Sequence, residues 1–189
     1  EQASAEGLPA GVDLEALWQH ATKVANYAKR IAACETDEKE RLDEAYTAGL
    51  LHDIGLLILA TKMTEHFERI LEARDTEKIS LHKAEKKILG ATHAEIGGFL
   101  LDLWGLPDNI VQAITYHLYP SSVPEKSYGM PGLEEDPFDA LTAVHVANYL
   151  CEDQDAIDAS AKADIDSVHL DEAGLSDRLE SWYDACYAN

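Results

Sequence analysis

The chain has 189 residues, 36 acidic against 15 basic, and a formal net charge of −21. Such a field opposes direct binding to a nucleic-acid backbone, and its 46% apolar content is ordinary for a soluble globular protein. The densest apolar run, residues 49–60, is interrupted by His52 and Asp53 and is too short to span a bilayer. Residues 1–11 show no basic segment followed by an apolar one, so no signal peptide is expected. The first residue is not Met, and we expect a fragment of a longer, cytoplasmic protein. Cys34, Cys151 and Cys186 are far apart and odd in number, which argues against a disulfide framework. Each is expected to be a small buried hydrophobe.

Helical patterns run the length of the chain. Asp13 caps a first helix whose apolar positions Leu14, Leu17, Trp18, Ala21, Val24, Ala25, Ala28 and Ile31 recur at three- and four-residue steps. It ends near Cys34. Thr36 or Asp37 caps a second helix, residues 38–60, with Gly49 and Gly55 inside it. Two internal glycines cost about 1 kcal/mol each relative to alanine, so they imply close helix approach or a bend near His52–Asp53. Short helices are expected over residues 64–73 and 80–90, the second carrying Lys83, Lys86 and Lys87 beside Glu77 and Glu85 on a solvated face. Thr92 caps residues 93–104, with Gly105 beyond. Pro107 opens a helix to about His117. Residues 118–137 read as a loop, residues 137–151 as a helix, residues 153–170 as acidic and partly irregular, and residues 175–187 as a last helix. Trp18, Trp104 and Trp182 read as core anchors. The expected fold is an all-α bundle in one domain, residues 1–189, with its core at 13–152 and a helical extension at 153–189.

Four histidines and an aspartate stand out: His20, His52, Asp53, His93 and His117. They fall on separate predicted helices, save the adjacent doublet, and each lies in apolar sequence (LWQHA, GLLHDIG, ATHAEIG, AITYHLY). Buried polar groups need partners. A shared divalent ion satisfies several imidazoles and a carboxylate at once, and such ligands suit iron, manganese, zinc or nickel. Neighbours on a helix point about 100° apart, so an ion would sit between the directions of His52 and Asp53. With two oxygens, Asp53 could bridge two ions. The alternative is a hydrogen-bonded buried cluster. His66, His82 and His169 lack an apolar setting and are expected at the surface. His145, one turn before Asn148, could approach the same cavity, whereas Glu95 faces elsewhere. Lys23 lies near His20 and reads as a solvated side chain.

The runs LWQHATKVANYAKRIA, EAYTAGLLHDIGLLIL, GATHAEIGGFLLDLWGLPDNIVQAITYHLYP and LTAVHVANYL resemble the HD superfamily, and within it the HDOD family of bacterial signalling domains. The likeness covers residues 14–150. It implies an HD-domain-like helical bundle, here the HD-like C-terminal half of a signal transduction protein or response regulator of two-component systems. By this resemblance His20 is the first ligand and His52 and Asp53 are the HD doublet. Asn148 stands where an aspartate normally closes the first metal site. His93 and His117 match the histidines of a second site in HD-GYP phosphodiesterases. Tyr116 replaces the first of two histidines there, and no GYP motif follows His117. The expected function is a regulatory output module that retains a pocket for one or two divalent ions and lacks efficient phosphodiesterase activity. Its partner would be a signalling protein or a nucleotide second messenger, with no membrane or direct nucleic-acid contact. The second reading is a metal-dependent phosphohydrolase in which Asp53 orients water.

Overall fold

In the computed structural model, which describes residues 13–124, 137–151 and 165–187, all regular structure is helical. The Asp13 carboxylate accepts from the Glu15 and Ala16 amides and starts α1, Leu14–Glu35. This is N-cap chemistry worth about 1 kcal/mol. Ala21, Val24, Ala25, Ala28, Ile31 and Ala32 form its buried face. The small residues let α2, Lys39–Leu51, lie close against α1, and an added Cβ at Gly49 would stand 2.9 Å from Ala25 Cα.

The expected helix over residues 38–60 is broken in two. α2 ends at Leu51, and α3, Ile54–Lys62, restarts after His52 and Asp53. Asp53 leaves the helical region, at φ −100° and ψ 14°. Neither expected cap opens α2. Glu38 holds the cap position, and Thr36 accepts from the Glu38 amide. The next helices are α4, Thr64–Glu77, and α5, Leu81–Leu89, which ends at Gly90 with φ +79°. α6, His93–Leu103, opens with a reciprocal capping box between Thr92 and Glu95. α7, Asp108–Tyr116, follows Pro107, and α8, Ala140–Leu150, is capped by Asp139 rather than opening at residues 137–138. A 3-10 turn, Pro120–Ser122, lies in the stretch expected to be a loop. α9, Ser167–Glu172, begins in the stretch expected to be acidic and partly irregular and is capped by Asp166. A 3-10 turn at Ser176–Arg178 precedes α10, Leu179–Tyr187. Expectations for residues 1–11, 125–136 and 152–164 lie outside the described residues.

Two apolar clusters organise these helices. The larger joins α1, α2, α7 and α8 to Leu170, Leu175, Trp182 and Cys186 near the C-terminal end. The smaller joins α3, α4 and α5 through Leu56, Leu59, Phe67, Ile70 and Leu81. Trp182 is fully buried and donates its indole N–H to Glu35 at 2.9 Å. The other two tryptophans are not core anchors. Trp18 is 61% exposed and Trp104 65%, each at a helix end beyond the buried stripe. Cys151 and Cys186 are buried as expected, whereas Cys34 is exposed on the last turn of α1. Among the described residues, no helix is long and apolar enough to cross a membrane.

α3 approaches α6 at Gly55, where an added Cβ would lie 2.0 Å from the His93 carbonyl oxygen. Backbone cannot yield that distance locally, so the helices would have to separate. Gly55→Ala is therefore expected to destabilise the fold by about 1–3 kcal/mol, read from the midpoint of urea unfolding. A midpoint unchanged from wild type would contradict this packing.

Candidate metal centre

The break between α2 and α3 has a direct consequence for the doublet. On a continuous helix the two side chains would diverge. Here His52 closes α2, and Asp53 occupies the cap position of α3 without spending its carboxylate on the α3 amides. That carboxylate is left to face the interior. His20 comes from the middle of α1, His93 from the first position of α6, and His117 from the residue closing α7.

All four rings meet Asp53. Its Oδ2 lies 3.2 Å from His52 Nε2 and 3.8 Å from His20 Nε2. Its Oδ1 lies 3.3 Å from His93 Nε2 and 3.9 Å from His117 Nε2. The result is two groups of three that share the aspartate, His20–His52–Asp53 and Asp53–His93–His117, with donor atoms in each within 4.8 Å of one another. Ring centroids of His52 and His117 are 5.0 Å apart, which ties the two halves together.

Hydrogen bonds behind the rings fix which nitrogen faces inward. His52 Nδ1–H donates to the Gly49 carbonyl at 2.7 Å, and His117 Nδ1–H donates to the Ile114 carbonyl at 2.8 Å. Both Nε2 atoms therefore face Asp53, and both are buried with no hydrogen-bond partner, as is His20 Nδ1. Leaving a buried polar atom unsatisfied costs about 1–3 kcal/mol. Unpartnered imidazole nitrogens aimed at a two-oxygen carboxylate are the donor set a divalent cation needs, so the residues fit a metal ion.

The charges of the metal-free centre follow from the same geometry. Burial works against ionising Asp53, but the adjoining His52 and His93 rings outweigh it and hold its carboxyl well below the usual range. Burial also works against protonating His93. Glu85 and Asp53 on either side overcome it and raise His93 to about 10. His117 is pushed well below its ordinary value by burial and then by His52. His20 is lowered by the same two causes, while the Asn148 side chain reaches it and favours its protonated form.

Asn148 thus stands beside His20, and the six sequence-selected residues converge. His145 does not join them. Its Nδ1–H donates to the His117 carbonyl and its Nε2 accepts from the Asp166 amide, both at 2.8 Å, so neither nitrogen is left for an ion. Of the three histidines expected at the surface, His66 is exposed. His169 is instead buried, bonded to Thr142 at 2.8 Å, and His82 is half-buried between Ser80 and Tyr119. Lys23 lies over the Tyr27 ring. Glu95 serves the α6 cap and pairs with Lys86.

Glu85 is the residue that sequence reasoning misplaced. Expected on a solvated face, it is fully buried, and its carboxylate accepts from both the ring Nδ1–H and the backbone N–H of His93 at 2.9 Å. The signal was present: Glu85 falls on the apolar stripe Leu81, Ala84 and Ile88 at helical spacing.

His93 gives a pH test in the metal-free protein. Its folded value lies above the ordinary 6.5. Its imidazolium contacts therefore stabilise the fold fully below pH 6.5 and are lost as pH rises toward about 10. Asp53 acts in the opposite sense, stabilising above about pH 4 and failing only in strong acid. NMR of the metal-free protein should show the His93 ring still protonated at pH 8, and Glu85→Gln should bring its titration down. A ring titrating near 6.5 in wild type would contradict this electrostatic arrangement.

Comparison with known proteins bears on the fold and the family. The HDOD domain family model matches residues 2–120. An HDOD domain protein from Geobacter sulfurreducens superposes with a TM-score of 0.62 at 22% identity, covering 97% of this chain and 66% of that one. A candidate signal transduction protein from Marinobacter aquaeolei gives 0.62 at 23% identity, covering 97% and 40%. A candidate phosphohydrolase from Shewanella amazonensis gives 0.57 at 22% identity, covering 94% and 66%. A protein of uncharacterized function from Treponema pallidum is 26% identical over 110 residues, 58% of this chain and 21% of that protein. The chain thus spans about a fifth of its curated relative and at most 66% of these solved structures. With the family model matching well over half its length and the helical fold shared with an HDOD protein, the chain belongs to the HDOD domain family.

Proposed function

We propose that this chain is a regulatory output module of a bacterial signalling protein, the HD-like part of a response regulator in a two-component system. In this reading His20, His52, Asp53, His93, His117 and Asn148 surround one or two divalent ions. Iron, manganese, zinc and nickel all suit the nitrogen-rich ligand set. The module would work in the cytoplasm by binding a partner protein or a nucleotide messenger. Its net charge of −21 disfavours direct nucleic-acid binding. We read residues 1–189 as one domain, since Trp182 and Cys186 share an apolar cluster with α1 and α8.

The observation that carries the regulatory reading is the enclosure of the centre. The His52 and His117 side chains are fully buried and that of His93 nearly so, while His20, at 13%, Asp53, at 16%, and the part-buried Asn148 lie at the edge. A hydrolytic metal site needs an open position and room for its substrate. The position beside His20 also holds a neutral amide, Asn148, which binds cations more weakly than a carboxylate would. A buried ion in such a place stabilises one arrangement of α1, α3, α6 and α7, and so can link occupancy to the shape of the surface.

One feature favours hydrolysis as the second reading: the two Asp53 oxygens face two separate histidine pairs. Metal held there would supply positive charge to polarise a phosphoryl group. Asp53 and His20, at the exposed edge, would then orient the substrate and the attacking water.

Elemental analysis of the purified protein separates these readings from an empty pocket. We expect metal in stoichiometric amount and its loss in His52→Ala. We also expect no turnover of a generic phosphodiester above background with added manganese or iron. Metal-free native protein would overturn the metal-holding reading, and metal-dependent turnover by wild type would overturn the regulatory one. Activity appearing only in Asn148→Asp would show that the amide is what silences the centre.

A further inference from the structure

We propose that Glu85 is a positioning residue for the Asp53–His93–His117 half of the centre and causes this half to fill before the His20–His52–Asp53 half. The inference rests on the metal-holding reading above and adds an order of loading to it.

The two halves share Asp53 and differ in what stands behind the rings. Behind His93 is a fully buried carboxylate. Glu85 Oε1 and Oε2 both lie 2.9 Å from His93 Nδ1, and Oε2 also takes the His93 backbone N–H at 2.9 Å. One side chain thus fixes both the ring and the backbone of the ligand. The other ring of this half, His117, is fixed by its bond to the Ile114 carbonyl. Both Nε2 atoms face Asp53 Oδ1 before any ion arrives.

The other half is less prepared. His52 is fixed by the Gly49 carbonyl, but His20 has a buried Nδ1 with no hydrogen-bond partner and a partly exposed ring. Its neighbour is the Asn148 amide. A carboxylate behind an imidazole raises the basicity of the ligand and holds its orientation, and losing such a partner costs about 10–100-fold in metal affinity. A second carboxylate also draws a cation through space, and the low dielectric of the interior strengthens that attraction. Once the His93 ring has given up its proton, the second carboxylate and the prior orientation of both rings favour the half that contains it.

The test is a calorimetric titration of the metal-free 189-residue chain with Zn²⁺, together with a count of zinc retained after desalting. Wild type should take up two ions in unequal steps and retain one. Glu85→Gln, which keeps the side-chain shape, should weaken the first step by about 10–100-fold. His20→Ala should weaken the second step and leave the first. Circular dichroism and thermal unfolding report whether each variant folds. His20 lies at the edge of the centre, so His20→Ala decides the order even where Glu85→Gln does not fold. Loss of the first step in folded His20→Ala, two equal steps in wild type, or a first step unchanged in folded Glu85→Gln would each overturn the proposal while leaving metal binding intact. Wild type that takes up no zinc would overturn both readings together.

Discussion

A buried carboxylate surrounded by imidazoles sets the terms for the rest of this structure. Taking an ion such as Asp53 out of water costs several kcal/mol unless charge and hydrogen bonds replace its hydration. The four rings that meet it come from α1, the α2–α3 break, α6 and α7. No pair of these elements can shift without moving a ring away from the carboxylate. The close contact at Gly55, the spare cap position of Asp53 and the buried Glu85 are all conditions for that convergence.

Protons and cations compete for this centre. Without metal, His93 carries a proton between Glu85 and Asp53, while the buried Nε2 atoms of His52 and His117 have no hydrogen-bond partner. A cation would displace that proton and satisfy those nitrogens, so uptake of metal and release of protons are linked. The same burial that makes the metal-free state costly limits access from solvent. A site of this kind suits an ion that is kept better than a substrate that is exchanged. Further out, the link from the His117 carbonyl through His145 to the Asp166 amide joins the centre to the start of α9.

Much of this was legible in the sequence because burial leaves a trace in it. His20, His52, His93 and His117 each interrupt apolar sequence, and a polar residue there needs a partner. Thr92 announced the start of α6 at the right residue. The break at His52–Asp53 was legible only as a choice between a bend and close approach, and both occur. Helical periodicity continues across the break, so the pattern alone could not show it. Glu85 was misread because its lysine neighbours dominate the local charge, while its own place on the stripe with Leu81 and Ala84 decides its burial. Trp18 and Trp104 failed in the opposite way. Each is large and apolar, but Trp18 precedes the first buried residue of α1, Ala21, and Trp104 follows the last one of α6, Leu101. His169 was expected at the surface because its partner, Thr142, lies 27 residues away on α8.

The central claim is that the cluster around Asp53 holds metal, and anomalous X-ray scattering from crystals of the protein loaded with Zn²⁺ tests it most directly. The account predicts strong peaks on either side of the Asp53 carboxylate, one toward His20 and His52, the other toward His93 and His117. Zinc found only at surface carboxylates, with hydrogen-bonded water or nothing among these rings, would contradict it.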